Sequence, residues 1–170
     1  MVLGTYTGKK IIVSKENKSQ FIRKYFGTDE DGPLELSPEE AFFLIKKGDL
    51  ELVDKENKKI GVEKFIKLST KNDKRFWARA CVLSDLRRKG YIVKTALKYG
   101  ADFRVYDKGE KPGEEHARWI LFAITRHENL TPETFAAMGR IAHSVKKSLL
   151  LGIVDDEDSV TYYEINWRKM

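Results

Sequence analysis

Two apolar runs in the second half of the chain limit its possible folds more than any other feature. They are Trp119-Ile120-Leu121-Phe122-Ala123-Ile124 and Leu149-Leu150-Leu151-Gly152-Ile153-Val154. Runs this short, with no polar alternation, read as strands buried within a sheet and not as strands with one wet face. Between them Thr131-Pro132-Glu133 opens a long helical segment, with a capping hydroxyl ahead of a proline suited to the first helical position. Phe135, Met138, Ala142 and Val145 form its apolar stripe. Arg140, His143 and Lys147 fall on the opposite side if the helix extends that far.

The elements around this core complete a domain. From Arg75 to Lys89, Phe76, Ala80, Leu83 and Leu86 recur at helical spacing, and Gly90 stands where a helix would stop. Tyr91 to Leu97 and Ala101 to Tyr106 read as strands, the latter with Phe103 and Val105 on one face and Asp102, Arg104 and Tyr106 on the other. A loop with glycine and proline, Asp107 to Glu115, follows, and the last strand is expected over Val160 to Trp167. Residues 73–170 are therefore expected to form an α/β domain with a central mixed sheet flanked by helices.

The first part reads as a smaller α+β domain over residues 1–72. Ile11-Ile12-Val13, Leu34-Glu35-Leu36 and Leu50 to Val53 are strand-like, and Ser19 is placed to cap a helical turn running to Gly27. Ser37-Pro38-Glu39-Glu40 is a full capping box ahead of a helix that stops at Gly48. The polar stretch Lys67 to Lys74 marks the expected boundary.

Composition narrows the function. A net charge of +6 over 170 residues points toward acidic partners, nucleic acid first. One cysteine, Cys81, excludes an intrachain disulfide framework and reads as a small core residue. No segment carries the roughly 20 apolar residues needed to span a bilayer, and the first residues lack a signal-peptide pattern, so a cytoplasmic protein without membrane partners is expected. One cysteine and three scattered histidines cannot close a zinc site, and there is no Walker glycine loop or nucleophile elbow. The clustered carboxylates of a metal-dependent nuclease are missing as well, so no metal or cofactor is expected.

Two constellations remain. The basic face Arg140, His143 and Lys147 reads either as an ordinary solvated helix face or as a phosphate-contacting surface. His116, placed after a Gly/Pro loop and before a buried strand, is a candidate general acid, with Tyr106 on the polar face of the preceding strand. A surface histidine or a half-buried tyrosine is the plainer reading of each.

The run Ser84-Asp85-Leu86-Arg87-Arg88-Lys89-Gly90-Tyr91-Ile92-Val93-Lys94-Thr95, continuing Lys98-Tyr99-Gly100-Ala101-Asp102-Phe103-Arg104-Val105-Tyr106, resembles the core signature of the archaeal tRNA-intron splicing endonucleases. So does Ala142-His143-Ser144-Val145-Lys146-Lys147-Ser148-Leu149-Leu150-Leu151 with the strand and acidic turn after it. The resemblance runs over nearly all of Arg75 to Trp167. The N-terminal part matches the family's smaller domain in size and position only. Ala117 stands after His116 where the family often has serine.

The resemblance implies Tyr106, His116 and Lys147 as catalytic residues of a metal-free RNA cleavage, acting on bulge–helix–bulge junctions of precursor tRNA. It implies 2′,3′-cyclic phosphate and 5′-hydroxyl ends, hence lyase-type chemistry. Arg140 matches one arm of the family's base clamp, with Tyr162, Trp167 and Arg168 as candidates for the other. It further implies a tetramer, either of this chain alone or with a paralogous structural subunit, in which the acidic run Asp155-Asp156-Glu157-Asp158 docks on a basic cleft. The alternatives are a non-catalytic RNA-binding subunit of the same assembly and, less well supported, a metal-dependent DNA nuclease.

Overall fold

The computed structural model describes residues 1–170, which form two compact units, Met1–Ser84 and Asp85–Met170. In chain order the elements are β1 (Val2–Tyr6), β2 (Ile11–Val13), α1 (Ser19–Ile22), β3 (Thr28–Asp29), β4 (Leu34–Leu36), α2 (Pro38–Lys47), β5 (Leu50–Val53), β6 (Lys59–Ile60) and α3 (Val62–Asn72). They continue with α4 (Phe76–Arg88), β7 (Ile92–Thr95), a single 3-10 turn (Leu97–Tyr99), β8 (Phe103–Tyr106), β9 (Trp119–Thr125), α5 (Pro132–Ser144), β10 (Ser148–Val154) and β11 (Val160–Ile165).

The first unit is a six-stranded mixed sheet in the order β3-β4-β2-β1-β5-β6, with β1 and β5 parallel and the other pairs antiparallel. The Ser37 hydroxyl accepts from Glu40 N–H, and the Glu40 carboxylate accepts from Ser37 N–H in return, so the expected capping box forms. Gly48, at φ 85°, ends α2 in a left-handed conformation open to glycine without steric cost. Ser19 behaves differently from its reading. It lies inside a four-residue helix capped at Lys18, with no side-chain cap, and the helical turn ends where Tyr25 takes φ 59°.

The stretch Lys67 to Asn72 is the end of α3, whose polar face conceals Phe65 and Ser69 in the core. By packing, the chain divides between Ser84 and Asp85, inside α4. Phe76 and Ala80 of α4 join the first unit's core with Phe21, Leu44 and Phe65. Phe65 and Phe76 meet edge to face at 6.0 Å.

In the second unit the two apolar runs are adjacent parallel strands, β9 and β10, at the centre of a five-stranded sheet ordered β11-β10-β9-β8-β7. The remaining pairs are antiparallel, so the sheet is mixed as expected. A parallel pair needs a crossover, and α5 supplies it. Met138 and Ala142 of α5 pack on Ile120, Phe122, Leu149 and Leu151. Burying a side chain the size of Met138 stabilises the unit by about 1.5–3 kcal/mol. Phe135 does not join that stripe. It is 36% exposed, one turn from the helix start. Asp102 is buried, and its carboxylate accepts from Ala123 N–H at 2.8 Å, tying the approach to β8 onto β9. Cys81 is buried and unpaired with another cysteine. No helix is long and apolar enough to cross a membrane.

Candidate active site

The segments that carry the candidate residues converge on the α5 face of the second sheet. Arg104 of β8 stands opposite Ile120 of β9, which belongs to the core under α5. Strand alternation places Tyr106, two residues on, on that same face at the end of β8. Tyr106 is only 5% exposed.

After Tyr106 the chain makes a loop of short turns. Glu110 N–H donates to Asp107 O, Glu115 N–H donates to Lys111 O, and the Glu115 carboxylate accepts from Lys111 N–H at 2.7 Å. His116 emerges exposed from this loop, and Ala117 behind it is buried. The anchoring of Ala117 is what ties the loop to the sheet.

Lys147 reaches the same place from the other side. It does not lie on α5, which ends at Ser144 with Val145 as its cap. The chain reverses at Lys146 and enters β10 one residue after Lys147. The Lys147 ammonium donates to Ala117 O at 2.6 Å, one residue from His116. Partial burial holds its pKa below the ordinary lysine range, opposed by Tyr99 and assisted by the Arg104 cation. A partly buried ammonium with a single protein acceptor favours an anion as its next partner. The structure thus joins Lys147 to the His116–Ala117 segment and sets Tyr106 on the same sheet face. The three side chains make no hydrogen bond to one another.

Beside Lys147 opens a cleft of about 930 Å³ between α5 and the chain after β11. Its lining includes Arg118, Arg140, Lys146, Lys147 and Arg168, and no aspartate or glutamate. One cation, Arg118, is bound to Asp107 at 2.8 Å. The other four have no carboxylate partner. Five cations gathered without a carboxylate among them repel one another, so the cleft is built for a polyanion. Two walls are aromatic. Phe135 lines one side, and Trp167, 57% exposed, stacks on His143 with ring centroids 4.1 Å apart and planes at 30°.

The clamp candidates divide here. Arg140, Trp167 and Arg168 all line the cleft. Tyr162 does not, because strand alternation turns it to the opposite face of β11 from Ile165. There its hydroxyl donates to the Asp85 carboxylate at 2.7 Å, beneath the Lys89 ammonium. Burial, and then that carboxylate, push the phenol well above its usual pKa. Arg118 and Phe135 join the cleft unannounced by the sequence. Arg118 is separated from Arg140 by 22 positions, and only the crossover brings them together.

The acidic turn is more structured than a free charged loop. The Asp155 carboxylate accepts from Glu157 N–H and Ser159 N–H, shaping the turn itself. Asp156 binds His127 at 2.6 Å and lies near Arg126, and the bond to His127 holds its carboxyl below the usual range. Asp156, Glu157 and Asp158 are all exposed. No group of three or more His, Cys, Asp or Glu side chains is gathered as metal ligands would be.

A two-unit α+β chain whose second unit opens a carboxylate-free cationic cleft, lined by a lysine tied to the segment that carries His116, defines a protein of the nucleic-acid-processing class. Comparison with known proteins makes this specific. The family model described as the tRNA intron endonuclease catalytic C-terminal domain matches residues 76–162, and that of the N-terminal domain matches residues 2–66. The chain belongs to the tRNA intron endonuclease family. A tRNA-splicing endonuclease of Thermococcus kodakarensis is 34% identical over 171 residues, covering 99% of each chain. One of Nanoarchaeum equitans is 42% identical over 136 residues, covering 76% of this chain and 86% of its own. One of Saccharolobus islandicus is 36% identical along the whole of both chains.

Proposed function

We propose that this protein is an RNA endonuclease that excises introns from precursor tRNA at bulge–helix–bulge junctions, with Tyr106, His116 and Lys147 as its catalytic residues. The observation that carries the reading is the cleft. Four of its five cations have no carboxylate partner, and Lys147 stands at its edge tied to the His116 loop.

RNA brings its own nucleophile. The ribose 2′-oxygen attacks the adjacent phosphorus, its proton leaving with help from Tyr106, and the bond from phosphorus to the 5′ oxygen breaks. His116 gives a proton to the departing oxygen, and Lys147 stabilises the charge on the phosphorane. The products are a 2′,3′-cyclic phosphate and a 5′-hydroxyl. A tyrosine hydroxyl, which ordinarily ionises near pH ~10, is a weak base at neutral pH, and nearby positive charge is the means of activating it. Arg140, Trp167 and Arg168 receive the splayed bases, by stacking and by charge.

Excision takes two cuts, and each chain has one such site, so two copies act on each substrate. In this reading the chain works as a tetramer, alone or with a paralogous subunit, and the acidic turn docks on a basic cleft of a neighbour.

The test uses the purified chain and a bulge–helix–bulge RNA. Cleavage is expected to persist in excess chelator, to leave a cyclic phosphate, and to stop when the ribose at the cut carries no 2′-hydroxyl. Cleavage of the deoxy-substituted junction, or activity lost on chelation and restored by magnesium, refutes the mechanism. No cleavage by the pure chain, with tight binding retained, would identify a structural subunit instead.

A further inference from the structure

Helix α5 ends in a reversal that imposes a conformation on one residue. Lys146 N–H donates to His143 O at 3.0 Å, and Lys147 N–H donates to Ala142 O at 2.9 Å. This pair of bonds places the residue between them in the left-handed region, and Lys146 has φ 58°. Glycine is the usual occupant, because a Cβ there crowds the following carbonyl.

The chain itself supplies the comparison. The same pair of bonds closes α2 at Gly48, α4 at Gly90 and the 3-10 turn at Gly100, all at positive φ. It also closes α1 at Tyr25, φ 59°, but Tyr25 is half-buried and has packing to hold it. Lys146 has no such support. Its side chain is exposed and makes neither a hydrogen bond nor an ion pair within the chain. No contact of the Lys146 side chain therefore offsets the strained backbone, and that side chain lines the cationic cleft next to Lys147.

We propose that Lys146 is an RNA-binding residue that holds a phosphate neighbouring the scissile one, and that the fold keeps a lysine in a glycine's place for this purpose. The division of labour between the two lysines follows from their settings. Lys147 is half-buried and fixed on Ala117 O, beside the proposed chemistry. Lys146 is free to follow the backbone of the bound strand, which is what a positioning contact requires. This rests on the reading of the cleft as an RNA site.

The experiment compares the wild-type chain with Lys146→Gly, Lys146→Gln and Lys146→Arg, each in a His116→Ala background so that RNA stays whole. Thermal melting and binding of a bulge–helix–bulge RNA are followed as salt is varied. Lys146→Gly is expected to melt higher, by about 2–4 °C, because strain is relieved. It should nevertheless bind about 3- to 10-fold more weakly. The slope of log K against log salt should fall by about 0.7–0.9, the value for one lost phosphate contact. Lys146→Gln should lose the same affinity without the gain in melting temperature, and Lys146→Arg should keep both wild-type values. Unchanged affinity and slope in the glycine variant overturn the proposal. So does a melting temperature that fails to rise, since the lysine would then suit the turn on structural grounds. If the wild-type cleft binds no such RNA at all, the functional reading falls first, and the binding curve of the unsubstituted His116→Ala chain shows which has failed.

Discussion

The cationic cleft makes a quantitative demand on RNA binding. Of its five cations, Arg118 is already answered by Asp107, whose carboxyl is held below the usual range by Lys108 N–H and by that same arginine. Arg140, Lys146, Lys147 and Arg168 are not. If each of the four takes one phosphate, log K should fall with log salt at a slope of about −2.8 for single-stranded contacts and about −3.6 for duplex contacts. Raising salt from about 50 to about 200 mM would then weaken binding by about 50- to 150-fold. The perturbation that tests the count is Asp107→Asn, which releases Arg118 and should steepen the slope by about 0.7–0.9. The assay is fluorescence anisotropy on a short RNA with a single junction, using His116→Ala protein to prevent cutting. A slope shallower than about −2, or one indifferent to Asp107→Asn, would mean that the cleft is not where the phosphates lie.

Three further outcomes are expected. His116→Ala should lower the cleavage rate by about 10²- to 10⁴-fold with RNA binding near wild type, and a thiolate leaving group should restore most of the loss; no restoration in a rapid-quench assay would reduce His116 to a positioning role. Trp167→Ala should weaken RNA binding by about 5-fold or more, since stacking a base on an aromatic ring is worth about 1–3 kcal/mol, whereas Tyr162→Phe should leave binding within about 2-fold. Equal losses in a filter-binding assay would contradict the division of the clamp candidates. For the acidic turn, Asp156→Asn with Glu157→Gln removes charge while sparing the Asp155 carboxylate that shapes the turn. Light scattering is expected to show smaller assemblies, more so at high salt; a variant still fully tetrameric there would end that role for the turn.

The sequence by itself determined the elements whose physics is local. The apolar runs at Trp119 and Leu149 had to be inner strands, and the capping box at Ser37 formed because its two partners are three residues apart. Family membership was legible for the same reason, since the motifs from Ser84 to Tyr106 and from Ala142 to Leu151 are contiguous. What required tertiary contact was invisible locally. Polar Lys67 to Lys74 read only as a boundary, yet as far as Asn72 it is helical, with Phe65 and Ser69 of the same helix buried. Lys147 looked like the far end of a helix face, yet a left-handed residue ends the helix and sends the lysine to Ala117 O, 30 residues away in the chain. Tyr162 and Trp167 looked equivalent as clamp arms. Only the register of β11 against β10 separated them, sending Tyr162 to Asp85 and leaving Trp167, beyond the strand's end, to stack on His143. Hydrogen bonds within a turn can be read from neighbours in sequence. The side of a sheet on which a residue acts, and the charges it meets there, are fixed by strands and loops brought together only in the folded chain.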